Sequence, residues 1–98
     1  NITINNLIGN AVIDGNIGDL KILKIDDTFT NLNIILQNSN ATISLPKVDC
    51  NLKYNGSHTR FSHPKNSSKN AVSSFTTGNV SSGKNIVINA KYSNVTLK

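Results

Sequence analysis

Cys50, His58 and His63 are the residues whose types could take a metal or begin a nucleophilic reaction. One thiol and a His-x4-His pair supply at most three ligands. A structural zinc needs four ligands and a catalytic one three in paired spacings, and this set reaches at most three only across the Asn-Gly turn. A Cys–His nucleophile would also need donors for the oxyanion it generates, and no motif for them accompanies Cys50. The plainer expectation is that Cys50 is a small buried apolar residue; as the single cysteine it forms no intrachain disulfide. Gly9-Asn10, Gly15-Asn16 and Gly18-Asp19 are not a phosphate loop, because no Gly-Lys-Ser/Thr follows and no helix offers its N-terminus. The aspartates lack the spacing and closing Glu of a calcium loop. No catalytic residue, metal or cofactor is therefore expected. The remaining chemistry is electrostatic: Lys53, His58, Arg60, His63 and Lys65 are the candidate contacts for an anion or partner. Solvated loop side chains are the blander account of the same residues.

Charge is unevenly placed. Residues 1–49 carry five Asp against Lys21, Lys24 and Lys47, a balance of −2, whereas residues 50–98 carry seven cations and no acid. A basic half attracts polyanions such as anionic glycans, lipid head groups or nucleic acid. Nucleic-acid platforms interleave cations with aromatics, and this half does not, so no specific nucleic-acid binding is expected.

Short strands must position these side chains. Asn, Ser and Thr are frequent and Glu is absent, a composition that disfavours helices because these side chains compete for backbone hydrogen bonds. From Ile2 to Ile25, short apolar runs punctuated by Gly9, Gly15 and Gly18 read as parallel rungs that turn at positive-φ corners. Strands continue through Ile34-Ile35-Leu36 and Ala41 to Leu45, and Pro46 ends the pairing. Val48, Cys50, Leu52 and Tyr54 share one face; Asn55-Gly56 predicts a tight turn and His58 to His63 a returning strand. A polar variable segment follows at about 64–84, with one short strand near Val72 to Thr76.

The strongest pattern is a gapless match between residues 25–34 and 88–97, 63 residues apart. Each copy runs aliphatic, three variable residues, aromatic, hydroxyl, Asn, then an aliphatic-polar-aliphatic alternation. It equates Phe29 with Tyr92 and Asn31 with Asn94. Both aromatics are expected in the core, both Asn at solvent-facing positive-φ corners, and the C-terminal copy as a strand-rich closure. The fold expected is a single all-β domain over residues 1–98, a β-solenoid of single-stranded β-helix type, with a compact antiparallel β-sandwich as the alternative.

The order Thr-Phe-Thr-Asn-Leu-Asn-Ile-Ile-Leu at 28–36, Thr-Ile-Ser-Leu-Pro at 42–46, Phe61-x-x-Pro64 and the closing Asn-Ile-Val-Ile-Asn-Ala-Lys-Tyr-Ser-Asn-Val-Thr-Leu-Lys resembles the adhesin domains of Bacteroidetes, the toast-rack β-solenoid family. The resemblance covers most of the chain. It implies a non-enzymatic module exported to the bacterial cell envelope or surface, presenting a repetitive β surface to a glycan or protein. A structural module of a larger fibre or envelope assembly, pairing with neighbouring chains or with itself, is the alternative. The sequence departs from the family in having Asn31 and Asn94 where an acid often stands. No catalytic residue or cofactor comes with the resemblance.

The chain has no initiator Met, no basic start and no apolar run of membrane-spanning length, so it reads as an excised or processed piece without a transmembrane segment. Six Asn-x-Ser/Thr sites begin at Asn1, Asn40, Asn55, Asn66, Asn79 and Asn94. They mark glycan acceptors in a eukaryotic secreted protein and arise by composition otherwise.

Overall fold

The computed structural model describes residues 2–16, 18–46, 48–62, 74–78 and 80–98. Its strands are β1 (Ile2–Ile4), β2 (Asn10–Gly15), β3 (Asp19–Ile22), β4 (Asn31–Gln37), β5 (Asn40–Ile43), β6 (Asn51–Ser57), β7 (Arg60–Ser62), β8 (Ser74–Gly78), β9 (Asn85–Lys91) and β10 (Asn94–Leu97). A single 3-10 turn, Val80–Ser82, is the helical content of the described residues. The architecture is all-β in two five-stranded sheets: sheet I in the order β1-β3-β5-β10-β7 and sheet II in the order β2-β4-β9-β6-β8. Two layers are what a sandwich has. Within them every ladder is parallel except that of β6 with β8.

Period-two patterning decides which residues face inward. In β4, Leu32, Ile34 and Leu36 are buried while Asn31, Ile35 and Gln37 are exposed. Ladder register then stacks like on like, giving rows Leu32–Ile86–Leu52 and Ile34–Ile88–Tyr54 in sheet II. Sheet I supplies Leu20–Ala41–Val95–Phe61 and Ile22–Ile43–Leu97. These rows join in one apolar cluster. Each fully buried aliphatic contributes about 1.5–3 kcal/mol, so a core without Trp or Met is still sufficient. At the β6 end the rows finish in aromatics. Tyr54 stacks on Phe61 at 3.9 Å, and Phe61 meets Phe75 of β8 at 5.4 Å.

The Asn55-Gly56 turn is not formed. Both residues lie inside β6, which runs straight through to Ser57. Gly56 serves close approach instead: a Cβ there would run into the Tyr54 hydroxyl, a strand role of glycine that mimics a turn signal in sequence. The chain turns at His58-Thr59 and crosses to the other sheet, so β7 is not a hairpin partner of β6. The short strand expected near Val72 to Thr76 appears as β8, antiparallel to β6; Val72 itself lies outside the described residues.

The repeat also differs from expectation. Four units each pass from a sheet II strand through a corner to a sheet I strand: β2–β3, β4–β5, β6–β7 and β9–β10. Asn31 pairs with Asn85 and Asn40 with Asn94, so the true offset is 54 residues. Phe29 is fully buried ahead of β4, whereas Tyr92 is 60% exposed at a corner. The 63-residue match aligned Thr30-Asn31, which enters a strand, with Ser93-Asn94, which leaves a corner. Asn31 and Asn94 open β4 and β10 and are not among the positive-φ residues, which outside glycine are Asn38, His58 and Tyr92, each at 51°. The C-terminal unit is not a closure either. It lies between the β4–β5 and β6–β7 units, in the interior of both sheets.

Candidate functional site: a corner column and its cleft

Asn38, Tyr92 and His58 are the first corner residues of three stacked units. Behind them stand Ser39, Ser93 and Thr59, all buried. Each of these hydroxyls donates to the carbonyl two residues back: Ser39 to Gln37 at 2.9 Å, Ser93 to Lys91 at 2.8 Å and Thr59 to Ser57 at 2.9 Å. Each corner also joins the next, the Ser39 N–H donating to Ser93 Oγ at 3.1 Å and the Ser93 N–H to Thr59 Oγ1 at 3.3 Å. The column satisfies the buried polar backbone that a sharp turn would otherwise orphan. Ser93→Ala leaves the Ser39 N–H buried without its acceptor and should cost about 1–3 kcal/mol. Urea midpoints of Ser93→Ala and of the surface control Lys21→Ala check this, with only the former shifting.

With its backbone held from behind, the first corner position can point outward. Asn tolerates positive φ, but for other L residues that geometry is disfavoured by about 1–2 kcal/mol, and a bulky residue is rare there. Tyr92 adopts it nonetheless, and its ring stacks on His58 with centroids 4.9 Å apart and planes 13° from parallel.

Asparagine amides extend the stacking along both sheets. On sheet II, Asn85 Nδ2 donates to Asn31 Oδ1 at 3.3 Å and Asn51 Nδ2 to Asn85 Oδ1 at 3.5 Å. Asn31 in turn donates its backbone N–H to Asn10 Oδ1 at 3.1 Å, and the Thr30 hydroxyl bonds the same oxygen. On sheet I, Asn94 Nδ2 donates to Asn40 Oδ1 at 2.8 Å and Asn40 Nδ2 to Asp19 Oδ1 at 3.2 Å. Arg60 is next in that row.

A cleft of about 370 Å³ opens at the corner end of sheet II, within the roughly 300–1,000 Å³ of small-molecule sites. Three registered rows make it. Asp14, Ile35, Asn89 and Asn55 form the first, an apolar side chain between a carboxylate and two amides. Gly15, Leu36, Ala90 and Gly56 form the second; Leu36 and Ala90 turn into the core, so this row presents little side chain between the other two. Gln37, Lys91 and Ser57 form the third, and the next residues along the chain are the corner residues Asn38, Tyr92 and His58. The cleft is therefore followed directly along the chain by the aromatic stack. It offers amides, a hydroxyl, one carboxylate and one ammonium around an apolar floor, a set that binds hydroxylated ligands by hydrogen bonds and one face of contact.

The residues singled out from sequence are dispersed. Lys53 is exposed on the outer row of β6, His58 stands at the corner, and Arg60 begins β7 on the other sheet. His63 and Lys65 lie outside the described residues. Cys50 precedes β6 and His58 follows it, so that seven-residue strand holds them roughly 25 Å apart at about 3.3 Å per residue. Cys50 is half-buried; burial, then the charge of Asp49, push its thiol pKa up, away from the thiolate a nucleophile needs. Among the described residues no three His, Cys, Asp or Glu are grouped to hold a metal, and no helix is long and apolar enough to cross a membrane.

Sequence reasoning missed Asp14, Asn89, Lys91 and Tyr92. A signal for the corner was present: Asn38-Ser39-Asn40, His58-Thr59-Arg60 and Tyr92-Ser93-Asn94 share a hydroxyl between two polar or aromatic residues, each after an alternating strand. Comparison with family models, curated proteins and solved structures finds no match to this chain.

Proposed function

We propose that this chain is a non-enzymatic, adhesin-like surface module that binds a glycan, built as a flattened, toast-rack-like β-solenoid and working at the envelope or outer surface of a bacterium. The observation that carries the glycan is the cleft: an apolar side chain at Ile35 between Asp14 and Asn89 in one row, with Asn55 beyond Asn89 and Lys91 lining the same cleft. Sugars present the same mixture, hydroxyls at the rim of a ring and C–H groups on its face. Parallel ladders, corners repeated at fixed positions and amide rows support the solenoid description, and the sequence resemblance supports the setting.

An array of neutral and acidic oligosaccharides tests the reading. Binding that drops about tenfold or more, a loss near 1.4 kcal/mol, in both Asn55→Ala and Asn89→Ala supports it. An array on which the wild type retains nothing rejects it. The fibre reading has one observation in its favour: β2 is the last strand of sheet II and carries Val12, 72% exposed, on its outer face. Sedimentation at rising concentration separates the two, because a fibre module associates without added sugar.

A further inference from the structure

We propose that the Tyr92–His58 stack is an aromatic subsite for one pyranose ring of an acidic oligosaccharide, whose neighbouring units occupy the cleft and whose carboxylate meets Lys91. The inference rests on the glycan reading and names its ligand class.

Four observations converge. Tyr92 takes the same 51° φ as Asn38 in the adjoining unit, so the fold has an easier residue for that position and Tyr92 is retained against backbone preference. It gains no core packing in return, being 60% exposed with its ring against the exposed His58. A rigid aromatic with two side-chain torsions offers a broad contact face at small entropic loss, and the C–H face of a pyranose matches it. Third, Lys91 and Ser57 line the cleft and are followed directly by Tyr92 and His58, which puts the platform at the end of the groove.

The fourth observation is the placing of charge. Lys91 precedes Tyr92 and lines the cleft. Asp14 lines the opposite side of the cleft, two strands from β9 in the order β2-β4-β9. An anionic unit is repelled from the Asp14 side and drawn to the corner, which fixes the ligand's direction as well as its charge.

Isothermal titration calorimetry with galacturonic acid tetramer and neutral galactose tetramer tests the assignment, with urea midpoints measured on the same variants. Wild type is expected to prefer the acidic tetramer. Tyr92→Asn should weaken that binding about tenfold or more while its midpoint stays or rises, Tyr92→Phe should keep the binding, and Lys91→Gln should narrow the preference for acid over neutral. Unchanged affinity in Tyr92→Asn, with binding lost in Asn55→Ala, overturns the corner subsite and leaves the cleft reading standing. A midpoint that falls together with affinity in Tyr92→Asn overturns it too, because the ring is then structural. A wild type that prefers the neutral tetramer overturns the acidic class. Binding of neither tetramer overturns the subsite and counts against the glycan reading itself.

Discussion

Phe29→Ala should lower stability by about 3–5 kcal/mol, the usual cost of truncating a buried aromatic. Phe29 has no exposed surface although it sits in a connection and not a strand. Its backbone N–H donates to the Asp26 carbonyl at 3.0 Å, closing a turn that Asp26 braces by accepting from the Thr28 N–H and hydroxyl. From the other side Lys84 Nζ donates to the carbonyls of Asp27 at 2.6 Å and Phe29 at 2.9 Å and lies 5.4 Å from the ring centre. The ring is thus enclosed by residues from both the β3–β4 connection and the approach to β9, and no neighbour is free to collapse into its place. Against a total of about 5–15 kcal/mol for a domain of ordinary stability, the loss leaves the chain marginal or unfolded. Urea midpoints decide it. Tyr92→Ala, which the 63-residue match would make equivalent, should instead shift little because its ring is outside the core. Equal shifts in the two variants would restore the sequence-derived equivalence.

That contrast shows where the sequence was legible. Alternation in Leu32, Ile34 and Leu36 and in Ile86, Ile88 and Ala90 exposes a period-two burial that local sterics and the core enforce, and it reads directly. Absence of α-helix among the described residues was legible for a similar reason, since Asn, Ser and Thr bias the backbone residue by residue. Register was not. Ser39, Ser93 and Thr59 are equivalent because the backbone N–H of one bonds the hydroxyl of the next across units, and nothing in a hydroxyl's immediate neighbours distinguishes it from Thr30. Gly56 shows the same limit: as a turn former it is indistinguishable from a glycine that makes room for the Tyr54 ring two residues earlier. The cleft lay further out of reach. Asp14, Ile35, Asn89 and Asn55 become neighbours only through the ladders of four strands, and the order of those strands is not the order of the chain.

Strand order makes the largest prediction. Removing residues 85–98 should abolish cooperative unfolding altogether. If the C-terminal copy were a closing cap, its loss would shorten the stack by one unit and lower the midpoint. Instead β9 pairs on one side with β4 and on the other with β6, while β10 pairs with β5 and β7. Deletion takes an interior strand from both sheets, leaving β4 and β6 with no ladder between them, and removes Ile86, Ile88, Ala90, Val95 and Leu97 from the core. Each buried Leu or Ile lost costs about 2–5 kcal/mol when cut only to Ala; three such residues exhaust a domain stability of about 5–15 kcal/mol before any hydrogen bond is counted. Closing the gap by bringing β4 against β6 would require the 51–62 segment to leave β9 and β10 and to carry its antiparallel partner β8 with it. Far-UV circular dichroism and urea titration of residues 1–84 test this. A strand-type spectrum with a sigmoidal transition would mean that β6–β7 re-pairs with β4–β5 and that the C-terminal unit is an insertion the fold can lose; a featureless titration would mean that the first two units cannot hold together with β6–β7 until the end of the chain has been made and placed between them.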